Sequence, residues 1–559
     1  MQQACRLNRP VLVSMGYATC PGWAFMHAEA FTDPGIVAQL NTAYVSVRVD
    51  RDQHPELEHL FQLCHQLLLG RPGGWPLTLF IDPEAGLPFF VGGYFPTERR
   101  QDAPGFADLL GDATTHFRDQ RDAIRAQAAR LRQVLLALTP LPLDAAASLD
   151  QTPLLAARQQ LAQHFARAAG GFDLTPSFPV PAVASFLLRH WNATAATSEP
   201  DLQALYMATL TLTQAADSPT TALDGEQTLL DQARQLRAYA RAAAATGEPL
   251  FRLAAERSVS FVLDQLKSPD CRYFTALVRE GSTVLHDPQC LTAPNALWLQ
   301  AWAEAARWLD RPDWAQGAQD LLQALLNTVE LDDTTGLAAR AQLLASLLSS
   351  LTLDWRSEWL TLAIKLADSL LQDYADPECG GFYSTAASLP GPLPRLKPFA
   401  DGTLPAANGV AAQALLRLGQ LIDEPRYRQA ALQTLRAAWP ALSAAPLMHL
   451  ALLDALADQT EGLETIIIRG PAAECQPWSA ALARWVAPAR QVFAIPTTAV
   501  GLPPFLANLG NATNTPFTAT TAYIVAAVEA GSTALVAQTV VQVPTLEQLA
   551  HQLRDRLRR

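Results

Sequence analysis

No Cys-x-x-Cys pair occurs anywhere in this chain: its seven cysteines stand apart at 5, 20, 64, 271, 290, 379 and 475. That spacing excludes a local dithiol and the paired ligands of zinc ribbons, and an odd, scattered set fits the reducing cytoplasm, the expected compartment. Charge is also scarce. Asp, Glu, Lys and Arg make up 17% of the residues, with a net charge of −12 at pH 7. Nucleic acids and anionic membrane surfaces both require a basic face, so neither is an expected partner. No uninterrupted apolar run is long enough to cross a bilayer, and no basic stretch leading into an apolar one opens the chain, so no signal peptide is expected. Walker loops, G-x-G-x-x-G after a strand and G-x-S-x-G are absent, which removes common nucleotide-binding and hydrolase signatures. His54, His59 and His65 are spaced wrongly for one helix face, and neither a metal nor another cofactor is expected.

What is present is a large apolar complement, 49% of 559 residues, enough for two to four domains. The stretch from Arg9 to Pro96 organises the first of them. Val11-Leu12-Val13-Ser14-Met15 reads as a strand, and Gly16-Tyr17-Ala18-Thr19-Cys20-Pro21-Gly22-Trp23 as the turn into a helix. Strand Tyr44–Val49 follows, then a helix from Glu56 to Leu69 with Leu57, Leu60, Phe61, Cys64 and Leu68 at helical period. Gly73-Gly74-Trp75-Pro76 then opens strand Leu77–Ile81, and a proline after a bulky aromatic at a strand mouth is a candidate cis-proline. A cysteine at a helix start, with a later proline opening a strand, is the thioredoxin plan. A helix over roughly Pro104–Thr139 completes this region, and Pro140-Leu141-Pro142 is the expected boundary.

The words Ser14-Met15-Gly16-Tyr17-Ala18-Thr19-Cys20, Glu29-Ala30-Phe31-Thr32-Asp33, Val49-Asp50-Arg51-Asp52, Gly73-Gly74-Trp75-Pro76-Leu77-Thr78 and Pro88-Phe89-Phe90 to Tyr94-Phe95-Pro96 carry a closer likeness. In this order the stretch resembles the N-terminal domain of the spermatogenesis-associated protein 20 family, a thioredoxin-like domain joined to an (α/α)6 toroid of the six-hairpin glycosidase kind. The resemblance implies that architecture here. Relatives carry a further segment before the first strand, where only Met1–Asn8 stand. Either a truncated start or a true loss fits. The family's biochemistry is poorly defined, and the chain departs from it where chemistry would sit.

From about Asp144 to Gln459 the pattern changes to Ala/Leu/Gln/Arg-rich helices. Gly247-Glu248-Pro249-Leu250-Phe251, Asp310-Arg311-Pro312-Asp313-Trp314 and Asp423-Glu424-Pro425-Arg426-Tyr427 repeat one design: a helix stop, a proline in the next first turn and an aromatic staple. Gly170-Gly171-Phe172, Asp270-Cys271-Arg272-Tyr273-Phe274 and Asp376 to Tyr383 form a second repeated word. Five to six helical hairpins result. After residue 460 strands return: Thr465–Ile468, Arg490–Ile495 and Thr521–Val525, with a helix at Trp478–Val486 and another opened by Pro544. The expected fold class is therefore multidomain α/β plus all-α: a thioredoxin-like domain at 1–140, the toroid at 141–459 and a small α/β region at 460–559.

Cys20 is the catalytic candidate, since a thiol at a helix N-terminus meets free N–H groups and the helix dipole. The resemblance implies a second cysteine three residues on, followed by histidine, but Trp23 and Ala24 stand there. Dithiol exchange is then lost, and monothiol chemistry through a mixed disulfide stays open, with Cys5 and Cys64 as distant resolving thiols. The plain alternative makes Cys20 a small buried hydrophobe. Trp23, Trp75 and Pro76 are candidates for lining a substrate site beside it, or simply shape the loop. Asp50 and Arg51 read as a structural turn. The resemblance also points to the toroid cavity, through Lys397 and Asp401-Gly402-Thr403-Leu404-Pro405-Ala406-Ala407-Asn408-Gly409. Asp401 and Asn408 would line it, or cap a loop. The lysine, histidine and glutamate words that the resemblance implies elsewhere are missing, with Ser177 in one place and Ala215–Ala240 in another, and the C-terminal cysteine pair is replaced at Ala526 and Ala527. Three readings stay open: a thioredoxin-domain protein without dithiol activity that binds a protein or small-molecule ligand, a sugar among the candidates; an epimerase- or hydrolase-like toroid capped by the thioredoxin domain; and a monothiol redox protein using Cys20.

Overall fold

A computed structural model of the chain describes residues 1–99, 104–138, 148–173, 180–194, 199–217, 225–280, 283–329, 331–332, 334–389, 391–483, 489–509, 520–527 and 538–557. The expected boundary at Pro140 to Pro142 and Ser177 lie outside these residues. The chain divides into two compact units: residues 1–140 with 284–287 and 383–397, and the remainder.

In the first unit strands β1 (Val11–Gly16), β2 (Val45–Asp50), β3 (Leu77–Asp82) and β4 (Leu87–Gly92) form one sheet in the order β2-β1-β3-β4. The β1/β2 pair is parallel, and β3 runs antiparallel to both β1 and β4. Alternation along each strand sorts the side chains onto two faces. Val11, Val13, Met15, Leu77, Leu79 and Ile81 bury with Leu60, Phe61 and Cys64 of α4 (Pro55–Leu69). Leu12 and Phe80 bury on the other side with Met26 of α2 (Pro21–Glu29) and with Ile36 and Leu40 of α3 (Pro34–Ala43). A short helix α1 (Gln2–Leu7) precedes β1. The thioredoxin-like layers are thus set by period-two patterning on strands and period-3.6 patterning on helices.

The single helix expected over Pro104–Thr139 is two, α5 (Phe106–Asp119) and α6 (Arg121–Ala137), broken at Gln120, whose φ of −122° and ψ of 36° are not helical. The break has a packing cause. Phe106, Leu110 and Phe117 of α5 fill the Leu12 side of the sheet, whereas Ala128, Leu131 and Leu135 of α6 fill the Val13 side. One straight helix would not reach both. The distant segment 383–397 completes this unit: Leu396 joins the Val13 side, and Arg132 donates to the Pro392 carbonyl at 2.7 Å. Gly86, at a φ of +71°, permits that approach, since a Cβ there would lie 2.8 Å from the Pro392 ring.

The second unit holds α7 (Thr152–Gln163), α8 (Val180–Thr194), α9 (Glu199–Asp217), α10 (Leu229–Thr246), α11 (Pro249–Phe261), α12 (Thr292–Trp308), α13 (Pro312–Thr328), α14 (Leu337–Leu353), α15 (Ser357–Ser369), α16 (Ala407–Ile422), α17 (Pro425–Ala444) and α18 (Leu450–Thr460). The even-numbered members pack in sequence from α8 to α18, and α18 returns to α8, closing an inner ring. The odd-numbered members pack outside it. This is an (α/α)6 toroid. The repeated Pro words open outer helices α11, α13 and α17, with Phe251, Trp314 and Tyr427 buried beneath them. The second repeated word meets a repeated partner: Asn295 of α12 bonds the backbone N–H and carbonyl of Tyr273, and Asn408 of α16 does the same to Phe382.

Beyond the ring, β5 (Glu464–Gly470), β6 (Arg490–Pro496), β7 (Thr521–Ala527) and β8 (Gln538–Val543) form a sheet in the order β6-β5-β7-β8, with β5/β6 parallel and the other pairs antiparallel. That is the strand order and direction of the first sheet. Helices α19 (Ala472–Ala483), α20 (Pro504–Asn508) and α21 (Leu546–Leu557) accompany it. Two features differ from the sequence reading. β8 is an added edge strand, and α19 starts before Trp478, because the Pro471 carbonyl accepts from Glu474 and Cys475 N–H and nucleates it ahead of Pro477.

Candidate functional site

Cys20 caps α2 at the end of the loop after β1, its N–H bonded to the Tyr17 carbonyl at 3.0 Å and its own carbonyl accepting from Ala24. It is 4% exposed. The Trp75–Pro76 peptide is cis, and Pro76 Cδ lies 3.1 Å from where a Cβ on Gly22 would sit, so the proline lies against the first turn of α2. Around this mouth the Arg51 guanidinium stacks on Tyr17 at 3.8 Å and on Trp75 at 4.7 Å. Arg51 also pairs with Asp52 at 3.4 Å, while Asp50 accepts from the Asp52 N–H.

Trp23 occupies the place where the resemblance implies a second thiol. It is 2% exposed, donates from Nε1 to Ser14 Oγ at 3.0 Å and lies 3.9 Å under the Arg48 guanidinium. Gly16 makes room for it: a Cβ there would stand 2.4 Å from the indole. The indole is built into the sheet–helix seam rather than presented to a substrate. Of the other cysteines, Cys64 is buried on α4, where desolvation pushes its thiol up to about 12, and Cys5 is exposed. No described cysteine forms a disulfide.

The second constellation lies on the toroid axis. The inner ends of α8, α10, α12, α14, α16 and α18 enclose a cavity of about 420 Å³, within the range of small-molecule sites. Its walls are mostly apolar, with Ala182, Phe186, Leu297, Val410, Leu447 and Met448 among them. A few polar groups converge on this space. Gln342 Nε2 donates to Gln300 Oε1 at 2.7 Å, Gln300 Nε2 to Glu304 Oε1 at 3.1 Å, and Arg237 Nε to Glu304 Oε2 at 2.7 Å. Asp454, Arg234 and Asp401 line the same space. Burial pushes Asp401 up to about 6, against the Ala406 and Ala451 N–H groups that favour its charged form. Behind the wall Asp458 is fully enclosed, bonded to Arg189 at 2.5 Å and Arg417 at 2.7 Å. Burial opposes its charge, yet Arg417 and Arg189 hold it below the usual carboxylate range.

The structure therefore separates the residues singled out from sequence. Cys20, Trp23, Trp75 and Pro76 gather at one loop of the first unit. Asp401 lines the axial cavity, and Asn408 does not: it is wholly buried, and its amide holds Phe382 and the Pro398 carbonyl. Sequence reasoning missed Arg237, Gln300, Glu304, Gln342, Gln413 and Asp454. Their signal was present as polar residues four apart on otherwise apolar helices, Arg237/Arg241, Gln300/Glu304 and Gln413/Arg417, which fall one above another on a single face. Among the described residues no group of three His, Cys, Asp or Glu side chains is placed to hold a metal, and no helix is long and apolar enough to cross a membrane.

Residues 1–136 match the Thioredox_DsbH family, described as protein of unknown function DUF255. Spermatogenesis-associated protein 20 of Homo sapiens is 27% identical over 297 residues, 49% of this chain and 37% of that protein. The Rattus norvegicus protein is 29% identical over 191 residues, 34% of this chain and 24% of its own length. The chain is similar to the spermatogenesis-associated protein 20-like family. It aligns with less than two fifths of these curated relatives' length. Among solved structures, a D-mannose isomerase is 14% identical at a TM-score of 0.42, covering 56% of this chain and 97% of its own. A cellobiose 2-epimerase from Spirochaeta thermophila is 18% identical at a TM-score of 0.36, covering 51% and 85%.

Proposed function

We propose that this protein acts by binding a small polar ligand in the axial cavity of its toroid, and that its thioredoxin-like domain performs no dithiol exchange. The observation that carries the reading is the cavity itself: about 420 Å³ of mostly apolar wall into which Gln300, Gln342, Arg237 and Asp454 converge. Apolar walls with a few placed polar groups favour one oriented ligand. The absence of exchange follows from Trp23, since Cys20 has no partner thiol in its own helix turn. The test has two arms. Wild-type protein should give no catalysis of insulin disulfide reduction, and turnover would overturn the first part. Calorimetry with hexoses, uronic acids and sugar phosphates should give saturable binding that Gln342→Leu weakens; no saturable heat with any of the three classes would overturn the second.

One observation favours a carbohydrate-active reading beside it. Asp401, pushed up to about 6 by burial, and Asp454 both line the cavity, and two carboxyl groups on one cavity wall are the minimum for acid–base work on a sugar. Asp401→Asn would then abolish turnover of a bound sugar while leaving its affinity in place. Equal turnover in that variant would end this reading. A monothiol role for Cys20 requires mixed-disulfide trapping that Cys20→Ser removes.

A further inference from the structure

Deeper along the same axis the lining changes character. Helices α10, α12, α14 and α16 run on past the cavity, and with β6 they enclose a smaller space of about 60 Å³. It shares Arg237, Gln300, Ala345 and Gln413 with the larger cavity, so the two adjoin. The guanidiniums of Arg237, Arg241, Arg307, Arg417 and Arg490 line it. Three have carboxylate partners: Arg237 with Glu304 at 2.7 Å, Arg417 with Asp458 at 2.7 Å and Arg490 with Glu464 at 2.5 Å.

The other two do not. Arg241 is 4% exposed; it donates to the Ser185 carbonyl at 3.0 Å and lies 5.2 Å from the Trp308 ring centre, and its Nε has no partner. Arg307 has a buried Nε and makes no hydrogen bond or ion pair among the described residues. Burial pulls both below the usual arginine range, Arg241 to about 9 and Arg307 to about 10. Arg237 repels the first and Arg490 the second, and the attraction of Glu304 for both, with Asp454 for Arg241, only partly offsets this. Arg241 is buried and Arg307 half-buried, and neither has a carboxylate within ion-pair distance, an arrangement that is unfavourable unless something neutralises it.

We propose that this floor is an anion site that takes a tetrahedral phosphoryl group, and that the ligand of the axial cavity is a phosphorylated small molecule whose uncharged body lies against the apolar wall above. The second half rests on the binding role given to that cavity; the first stands without it. A phosphate dianion would supply the close counter-charge that these two guanidiniums lack, and the guanidinium fork is the side-chain donor that fits phosphoryl oxygens bidentately. Gln300 and Gln413, shared by both spaces, can bond the bridging oxygen or the body of the ligand.

The test is titration calorimetry and thermal unfolding of the full chain with inorganic phosphate, glucose 6-phosphate and glucose, using wild type, Arg307→Gln and Arg241→Gln. Phosphate is expected to bind wild type saturably and to raise its melting temperature. Each variant should weaken phosphate by about tenfold or more, the usual loss for a hydrogen bond to a charged group. Unliganded Arg307→Gln should melt no lower than wild type, since it loses a half-buried charge that has no close carboxylate, so a folding defect is separated from lost binding. No phosphate binding by wild type, or equal binding by the variants, overturns the anion site. Glucose 6-phosphate binding no tighter than phosphate upholds the anion site and overturns the phosphorylated ligand.

Discussion

Trp23→Ala is the perturbation that best examines why the first unit carries an indole where a thiol is expected. The side chain is 2% exposed, its N–H is bonded to Ser14 Oγ, and its ring lies under Arg48. Truncating a buried Trp costs about 3–5 kcal/mol, including the cavity left behind. Here Gly16 cannot fill that cavity, and the buried Ser14 hydroxyl loses its donor partner, which places the cost near the middle of the range, about 4 kcal/mol. At 1.4 kcal/mol per factor of ten, the opening equilibrium of the sheet should rise by about 10³. Hydrogen exchange is the suitable assay, since it reports the local stability of this sheet separately from the toroid. Amides of β1 and β3 should exchange up to about 10³ faster in the variant, while α12 and α14 stay unchanged. A change below tenfold would mean that the indole is not a structural element of the seam, and the reading that it is built in there rather than presented to a substrate would fail.

Two further outcomes follow from the charges of the second unit. Burial raises Asp401 from 3.8 to about 6 and Glu461 to about 7, so the folded state holds more protons than the unfolded chain between roughly pH 4 and 7. Their stabilising effect is full below the unfolded values and is lost as pH rises through the folded ones. Denaturant midpoints should therefore fall from pH 5 to pH 7, and Asp401→Asn should flatten the acidic part of that slope; an unchanged slope refutes the assignment. Asp458→Asn removes the shared partner of Arg189 and Arg417. Breaking a buried pair costs about 3–5 kcal/mol, and Asp454 and Glu461, each 3.8 Å from Arg189, place the result at the lower end. A loss below about 1 kcal/mol in equilibrium unfolding would show that this network carries no stability.

The sequence by itself determined the element types and much of their order. The short, mostly apolar runs Val11–Met15 and Leu77–Ile81, the cysteine at a helix start and the cis-proline before β3 were all legible, because local patterning and turn chemistry act over a few residues. The Pro249, Pro312 and Pro425 words marked outer-helix starts for the same reason. What only tertiary structure decided were facts of convergence. The break at Gln120 exists because α5 and α6 serve opposite faces of a sheet. The second sheet's match to the first depends on pairings between strands far apart in sequence, with β8 at the edge carrying little signal of its own. Asn408 could not be told from a ligand-binding residue until its amide was seen holding Phe382. Above all, Arg241 and Arg307 each read as an ordinary arginine on a helix. Only closure of the ring, with β6 across its end, brings them together with no carboxylate in ion-pair distance, because charge compensation depends on distances that no single helix contains.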